Sequence, residues 1–404
     1  MNAEPAKIIV IGAGGDVGQD TAKALALAHK YSYSINGIFS DMELVLANRT
    51  VGKAEALALE IAHSFRGATA PKITVAPEFL ASDPAIFRGA DVIAFTAGEP
   101  RNPDLGETRM DVLMKNARFI AEAGWQLREI YEGEEKIPML IQVVNPLDTL
   151  TWVMQAATGF PVAKVVGQAG MLDSSRWEIL LKKILEEDFK CDLPDEAEIS
   201  SSVIGSHDDD GMIPLLSQTW IYGSPLSDFL EENNIDANEF AKACDARIPE
   251  LKATGAAIGK LRGGKTPYFS PAAQTVDMID GFLRALSGRG SECTASRYVS
   301  GRELDVMGGM YGALGLYIGA PMRWTRLGAE PVGLDMSLKE TAPFMKSVAA
   351  VIKSNQAVAE FLAAGGVPVI NPKNLEPIRT EIRQIFANLQ KGFAAAPASR
   401  ASPA

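Results

Sequence analysis

His207 is one of three histidines in a chain of 404 residues, and it stands in Gly205-Ser206-His207-Asp208-Asp209-Asp210-Gly211. Imidazole exchanges a proton near neutral pH when a partner fixes its tautomer. A carboxylate and a guanidinium lie upstream in Met171-Leu172-Asp173-Ser174-Ser175-Arg176, three residues apart and so on one face of a helix. Two more guanidiniums, Arg101 and Arg109, bracket Asn102-Pro103-Asp104-Leu105-Gly106-Glu107-Thr108. A histidine held by an aspartate can pass a proton, and three arginines can clamp a small anion and polarise its carbonyl. Each feature alone is ordinary. A histidine among aspartates is usually a surface ion pair, a loop arginine is usually solvated, and Asp-x-x-Arg is usually a helix cap with a salt bridge.

A cofactor turn stands at the start of the chain. Lys7 to Ile11 reads as a buried strand, and Gly12-Ala13-Gly14-Gly15-Asp16-Val17-Gly18 follows at once and opens a helix from Asp16 to Lys30. Glycine is needed where backbone turns sharply and approaches a pyrophosphate, so Gly12, Gly15 and Gly18 form the spaced set of a dinucleotide site. An NAD site commonly places an acid at the end of the second strand, here Leu44 to Ala47. This chain instead has Asn48-Arg49-Thr50-Val51-Gly52-Lys53 there. Asn48, Arg49, Thr50 and Lys53 can all donate to a 2′-phosphate, so NADP(H) is expected ahead of NAD(H). The turn also resembles the phosphate-binding turn of NADP-dependent shikimate dehydrogenases. A dinucleotide beside a proton-exchanging histidine and an arginine clamp supplies the parts for hydride transfer to a 2-keto acid.

The elements that must position these groups alternate. After the second strand come a helix from Gly52 to Phe65 and strands at Ile73–Val75, Ala90–Ala97 and Met139–Val144. That order predicts an α/β chain whose residues 1–165 form a Rossmann dinucleotide-binding domain with a parallel, doubly wound sheet. Residues 166–392 read as a mixed α/β substrate and catalytic domain. It has a helix starting near Asp173, a strand from Glu198 to Gly205, and a helix from about Ser270 to Leu286, with strands near Arg297–Ser300 and Tyr311–Ile318. Residues 393–404, rich in Ala, Pro and Ser, read as a disordered tail. A net charge of -11 argues against a nucleic-acid partner. No apolar run is long enough for a membrane span, and the N-terminus shows no signal-peptide pattern. Cys191, Cys244 and Cys293 are spaced for neither a metal site nor a disulfide framework, which fits a reducing cytoplasm and no bound metal.

Six motifs in order resemble the malate/lactate dehydrogenase family, closest to its malate dehydrogenases. They are the Gly12–Gln19 turn, Ala97-Gly98-Glu99-Pro100-Arg101 with Arg109, Asn145-Pro146, Gly167–Arg176, Gly205-Ser206-His207, and Tyr268-Phe269-Ser270-Pro271-Ala272-Ala273. The resemblance runs from about Lys7 to Asn355. It implies that His207 is the general acid and base, with Asp173 fixing its tautomer and stabilising the imidazolium. It implies that Arg176 binds the substrate's C1 carboxylate and that Arg109 polarises the carbonyl. Asn145 would hydrogen-bond the substrate oxygen, and Arg101 would meet a distal carboxylate, which makes oxaloacetate/malate the leading substrate pair. Asp16, Val17 and Val144 would line the dinucleotide, as would Thr96, Ala97, Gly98 and Asn116.

Some features depart from that pattern. The Arg101–Arg109 loop is two residues longer than usual, and Asp104 and Glu107 within it could reshape the distal pocket. Asp208 stands where a small residue is usual, so Asp208–Asp210 either face solvent or raise the His207 pKa. Segments near Ala123–Lys136, Tyr222–Glu250 and Arg284–Gly312, and all that follows Asn355, are unusual for the family. His29 and His63 read as structural. The family pairs through helices that here carry Ala54, Leu57, Ile61 and Phe65, and Trp177, Leu180, Leu181 and Ile184. These imply a homodimer or homotetramer, although burial on the chain's own sheet would give the same periodicity. Alternatives are a lactate-type or other 2-keto acid reductase, an NAD-dependent glycoside hydrolase, and a non-catalytic dinucleotide sensor. The hydrolase needs a metal-binding cysteine, and none adjoins His207. The sensor needs no proton relay.

Overall fold

The computed structural model describes residues 5–33, 39, 41–65, 70–76, 83–100, 106–194, 198–208, 211–300, 315–334 and 336–365. Arg101, Asp104, Asp209, Asp210 and residues 393–404 lie outside them. Strand β1 (Ala6–Ile11) buries Ile8, Ile9, Val10 and Ile11 completely, as an unbroken apolar run must when helices cover both faces of a parallel sheet. Helix α1 (Asp16–Tyr33) leads to β2 (Met42–Ala47), and α2 (Val51–His63) to β3 (Lys72–Val75). The short α3 (Pro84–Phe87) precedes β4 (Val92–Phe95), α4 (Arg109–Tyr131) precedes β5 (Met139–Gln142), and α5 (Leu147–Thr158) precedes β6 (Val165–Gly167). These six strands are parallel, with β1 between β2 and β4. Strand order therefore reverses at β1/β4, where the loops after both strands open a crevice at the sheet's carboxyl edge.

Helix α6 (Ala169–Lys183) opens the second half. Five short strands follow in two small sheets: β7 (Ile199–Ser200), β8 (Val203–Ile204), β9 (Ile213–Pro214), β10 (Trp220–Ile221) and β11 (Ser224–Pro225). Helices α7 (Leu226–Glu232), α8 (Ala237–Leu261) and α9 (Phe269–Leu286) come next. The long antiparallel strands β12 (Glu292–Val299) and β13 (Leu316–Thr325), with β14 (Gly328–Pro331), do not make a sheet of their own. Strand β12 joins β6 at Ser296–Gly167 and extends the first sheet to nine strands among the described residues. Helix α10 (Leu338–Ala364) starts on a capping box in which Ser337 and Glu340 exchange side-chain and main-chain bonds.

Three expectations change. The strand expected from Glu198 to Gly205 is broken, with Ile199–Ser200 and Val203–Ile204 in different sheets. The reason is local: α6 side chains take the amides a continuous strand would pair, Glu178 from Ser201 N at 3.1 Å and Ser174 from Val203 N at 3.0 Å. The apolar faces expected to pair subunits are covered by this chain itself. Ala54, Leu57 and Ile61 pack into the core beside β1, with Phe65 against it, and Trp177, Leu180, Leu181 and Ile184 join Phe229 and Phe240. His29 is buried with Nδ1 2.7 Å from the Phe39 carbonyl, whereas His63 is exposed. Within the segments read as unusual for the family, Ala123, Leu127 and Ile130 are buried on α4, and Leu226, Phe240 and Leu251 belong to the cluster around Trp177.

Candidate active site

The chemistry gathers where α6 meets the loop after β8. Asp173 lies one turn into α6, with its carboxylate almost fully buried. Its Oδ2 is 2.6 Å from His207 Nδ1, and its Oδ1 accepts from Arg176 Nη1 at 3.3 Å. One carboxylate therefore orients both the imidazole and a guanidinium from the next turn of its own helix. A ring nitrogen bonded to a carboxylate carries the proton on that side, which leaves Nε2 as the atom that exchanges one. Burial lowers the proton affinity of His207, but the Asp173 charge and hydrogen bond, joined by Asp148, outweigh it. The imidazole ends above its ordinary value, with Arg176 opposing. Burial likewise lowers the pKa of Arg176, and Asp173 restores part of it.

The loop bearing His207 is held on several sides. Gly205 sits at φ +87°, a left-handed conformation suited to glycine, and exchanges two main-chain bonds with Gly319 of β13. Ser206 N donates to Ser347 Oγ of α10 at 2.7 Å. His207 N donates to Asp148 Oδ2 at 2.9 Å, and Ser296 of β12 donates to Asp148 Oδ1 at 2.6 Å. Asp208 accepts from Ser206 Oγ at 2.7 Å; the charges that raise His207 are those of Asp173 and Asp148. Asp148 with its partner Ser296, and the Ser206–Ser347 pair, were not foreseen. The available signal was a carboxylate three residues after Asn145 in Asn145-Pro146-Leu147-Asp148, at the start of a helix.

Asn145 follows β5 and is exposed, joined to Pro146 by a cis peptide bond. Its carbonyl accepts from Asn116 Nδ2 at 3.4 Å, and the Asn116 amide also receives Glu99 N and donates to Glu99 O. Asn116 is 1% exposed. Its polar atoms are engaged with main chain, so it ties the loops after β4 and β5 together. Arg109 is exposed as the first residue of α4, within the Thr108–Asp111 capping box. Glu107 is turned to Lys115 at 3.1 Å, the same ammonium that binds Glu99 at 2.9 Å, so Lys115 holds both ends of the loop.

The glycine turn fits a dinucleotide. Gly12 sits at φ +91°, and a Cβ there would lie 2.6 Å from Ala97 N; one on Gly18 would lie 2.2 Å from Gly12 O. The turn thus packs on the end of β4 and draws α1 close, while Gly15 and Asp16 stay exposed above the first-turn amides, which have no partner inside a helix. Val17 follows in that turn, Thr96 Oγ1 donates to Ile11 O, and Val144 packs where a Gly98 Cβ would stand. Asn48 also has a structural task. Its Oδ1 accepts from Gly14 N at 3.0 Å and its Nδ2 donates to Thr50 O at 2.9 Å, so it braces the turn. Arg49, Thr50 and Lys53 are exposed at the start of α2, whose first turn holds no acid and whose Thr50 hydroxyl makes no capping bond.

Among the described residues no helix is long and apolar enough to cross a membrane, and no group of three or more His, Cys, Asp or Glu could hold a metal ion. Residues 6–167 match the NAD-binding domain of the lactate/malate dehydrogenase family. The chain is 32% identical to a malate dehydrogenase of Methylobacterium radiotolerans over 273 residues, 67% of this chain and 76% of that one. A lactate dehydrogenase of Cryptosporidium parvum, solved with lactic acid and nicotinamide adenine dinucleotide, matches with TM-score 0.69 at 26% identity, covering 88% of this chain and 98% of its own. A malate dehydrogenase of Plasmodium falciparum matches with TM-score 0.68 at 25% identity, covering 88% and 99%.

Proposed function

The chain belongs to the lactate/malate dehydrogenase family, and we propose that within it this protein is a malate dehydrogenase that uses His207 and Asp173 as its proton relay and prefers NADP(H). It is an NAD-dependent type of oxidoreductase acting on a CH–OH group. The observation that carries the finer reading is the buried carboxylate of Asp173, shared by His207 at 2.6 Å and Arg176 at 3.3 Å. A dinucleotide seated on the Gly12–Gly18 turn would supply the hydride.

The chain's own groups do the rest. His207 Nε2 gives a proton to the carbonyl oxygen as the 2-keto acid is reduced and takes it back in the reverse direction. Asp173 stabilises the imidazolium from which that proton leaves. Arg176 receives the C1 carboxylate beside it, and Arg109 answers the charge that develops on the oxygen. Asn145 orients the same oxygen from the end of β5. Arg101 meets the second carboxylate of a dicarboxylate substrate. Exposed Arg49, Thr50 and Lys53 at the start of α2 support the NADP(H) preference, because a helix N-terminus with cations and no acid suits a 2′-phosphate.

Absorbance at the nicotinamide band tests the reading, with oxaloacetate or pyruvate against NADPH or NADH. Oxaloacetate with NADPH should be turned over fastest. Faster turnover of pyruvate would make the enzyme lactate-type, and no turnover of any 2-keto acid would refute the assignment.

A further inference from the structure

His207 is gripped at two ends by two different carboxylates. Asp173 holds the ring, whereas Asp148 holds the main chain. Asp148 is in the first turn of α5, where a negative charge is favoured by the helix dipole, and that helix begins just after Asn145-Pro146. Both of its oxygens are engaged: Oδ2 receives His207 N at 2.9 Å and Oδ1 receives Ser296 Oγ at 2.6 Å. Three separate pieces of chain meet on this one group: the helix that follows Asn145, the loop of His207, and strand β12.

We infer that Asp148 is a positioning residue of the proton-transfer site, a buried carboxylate that fixes His207 relative to Asn145 and whose charge strengthens the hold of the imidazole on its proton. The inference rests on the reading of His207 as the group that exchanges a proton with substrate. Its chemistry follows from the surroundings. The charged and titratable groups that bear on His207 are Asp173 and Arg176 from α6 and Asp148 from α5, and on Asp148 they are His207 and Asp208. Ser296 adds a hydroxyl to Asp148, and Ser347 holds the neighbouring Ser206 main chain. A neutral hydrogen-bond acceptor would hold the His207 amide equally well. A carboxylate in a buried place does something an amide cannot, which is to place a second negative charge beside the imidazolium. Burial raises the pKa of Asp148 to about 6, against the hydrogen bonds from Ser296 and His207 N, so the group is ionised at neutral pH and loses its charge in mildly acidic solution.

Three histidines make the test direct, since each is resolvable by NMR in protein labelled at histidine. Asp148→Asn keeps an acceptor for His207 N and an amide facing Ser296 but removes the charge. The His207 titration should move to lower pH while His29 and His63 stay in place. The pH at which kcat/KM for keto-acid reduction falls should move down with it, because reduction needs the protonated imidazole. Ser296→Ala, a milder change, removes one bond that stabilises the Asp148 charge and should give a smaller shift in the same direction. Asp148→Ala also removes the acceptor and should lower kcat by about 10²-fold, as a displaced catalytic group does, with cofactor binding unchanged. A His207 titration unmoved in Asp148→Asn, or one that moves together with His29 and His63, overturns the inference. If the titration moves and the rate profile does not, the Asp148–His207 coupling stands, and the role of His207 as proton donor falls.

Discussion

Asp148 should make the protein less stable at neutral pH than an uncharged residue of the same shape would. Its pKa stands at about 6 against an ordinary 3.8, chiefly because the carboxylate is buried. A difference of roughly two units at about 1.36 kcal/mol each makes the ionised form about 3 kcal/mol less favourable in the folded chain. The direction is that of an acid whose folded pKa is raised. The penalty is absent well below the ordinary carboxylate pKa, builds as pH rises from 3.8 towards 6, and is complete above. Asp148→Asn abolishes it while keeping the acceptor for His207 N. A gain of about 1–3 kcal/mol is expected at pH 8, reduced by imperfect amide geometry, and under about 1 kcal/mol at pH 4. Denaturant titration of both proteins at the two pH values measures this, with stability taken from the midpoint and slope. No gain at pH 8, or the same gain at both, would show that the carboxylate is not destabilised by burial in the way the geometry implies.

The other expectations concern turnover. His207→Gln should keep dinucleotide binding and lose about 10²–10⁴-fold in kcat, the usual worth of a positioned proton donor; near wild-type turnover would remove it from the mechanism. Arg101→Gln should weaken oxaloacetate reduction relative to pyruvate by the loss of a charge-assisted bond of about 1.5–3 kcal/mol, and an unchanged ratio in competing-substrate rates would count against that role. Arg49→Ala should weaken NADPH more than NADH in binding titrations; equal weakening would refute the phosphate-site reading and leave the dehydrogenase intact.

The residues legible in the sequence are those whose identity and local frame both carry information. Asp173 and Arg176 are one helical turn apart, and α6 does place Asp173 on the ring of His207 and Arg176 on the other oxygen of Asp173. The glycines at 12 and 18 are required by atoms close at hand, the Ala97 and Gly12 main chains. What could not be read is where a polar side chain is already engaged. Asn48 has the right chemistry to bind a ribose or phosphate, and its amide also binds Gly14 and Thr50. Asn116 is occupied in the same way by Glu99 and Asn145. Apolar periodicity has a parallel limit, because it marks the buried faces of α2 and α6 without saying what buries them.

The same limit explains why Asp148 escaped notice and why it matters. A carboxylate in the first turn of a helix is ordinary, since the helix dipole alone accounts for it. Only the assembled sheet brings Ser296 from β12 and His207 from the loop after β8 to its two oxygens, across 148 and 59 residues of sequence. An amide in that place would satisfy the same His207 main-chain donor without the charge's penalty. A buried charge is retained against that penalty where it does something an amide cannot, and the group within its reach is an imidazole whose proton affinity it raises. The stability experiment and the histidine titration therefore examine one charge from two sides. Asp148→Asn should be the more stable protein at pH 8 and the one whose His207 releases its proton sooner. A variant that gained stability with no change at His207 would leave the penalty unexplained by the proton relay.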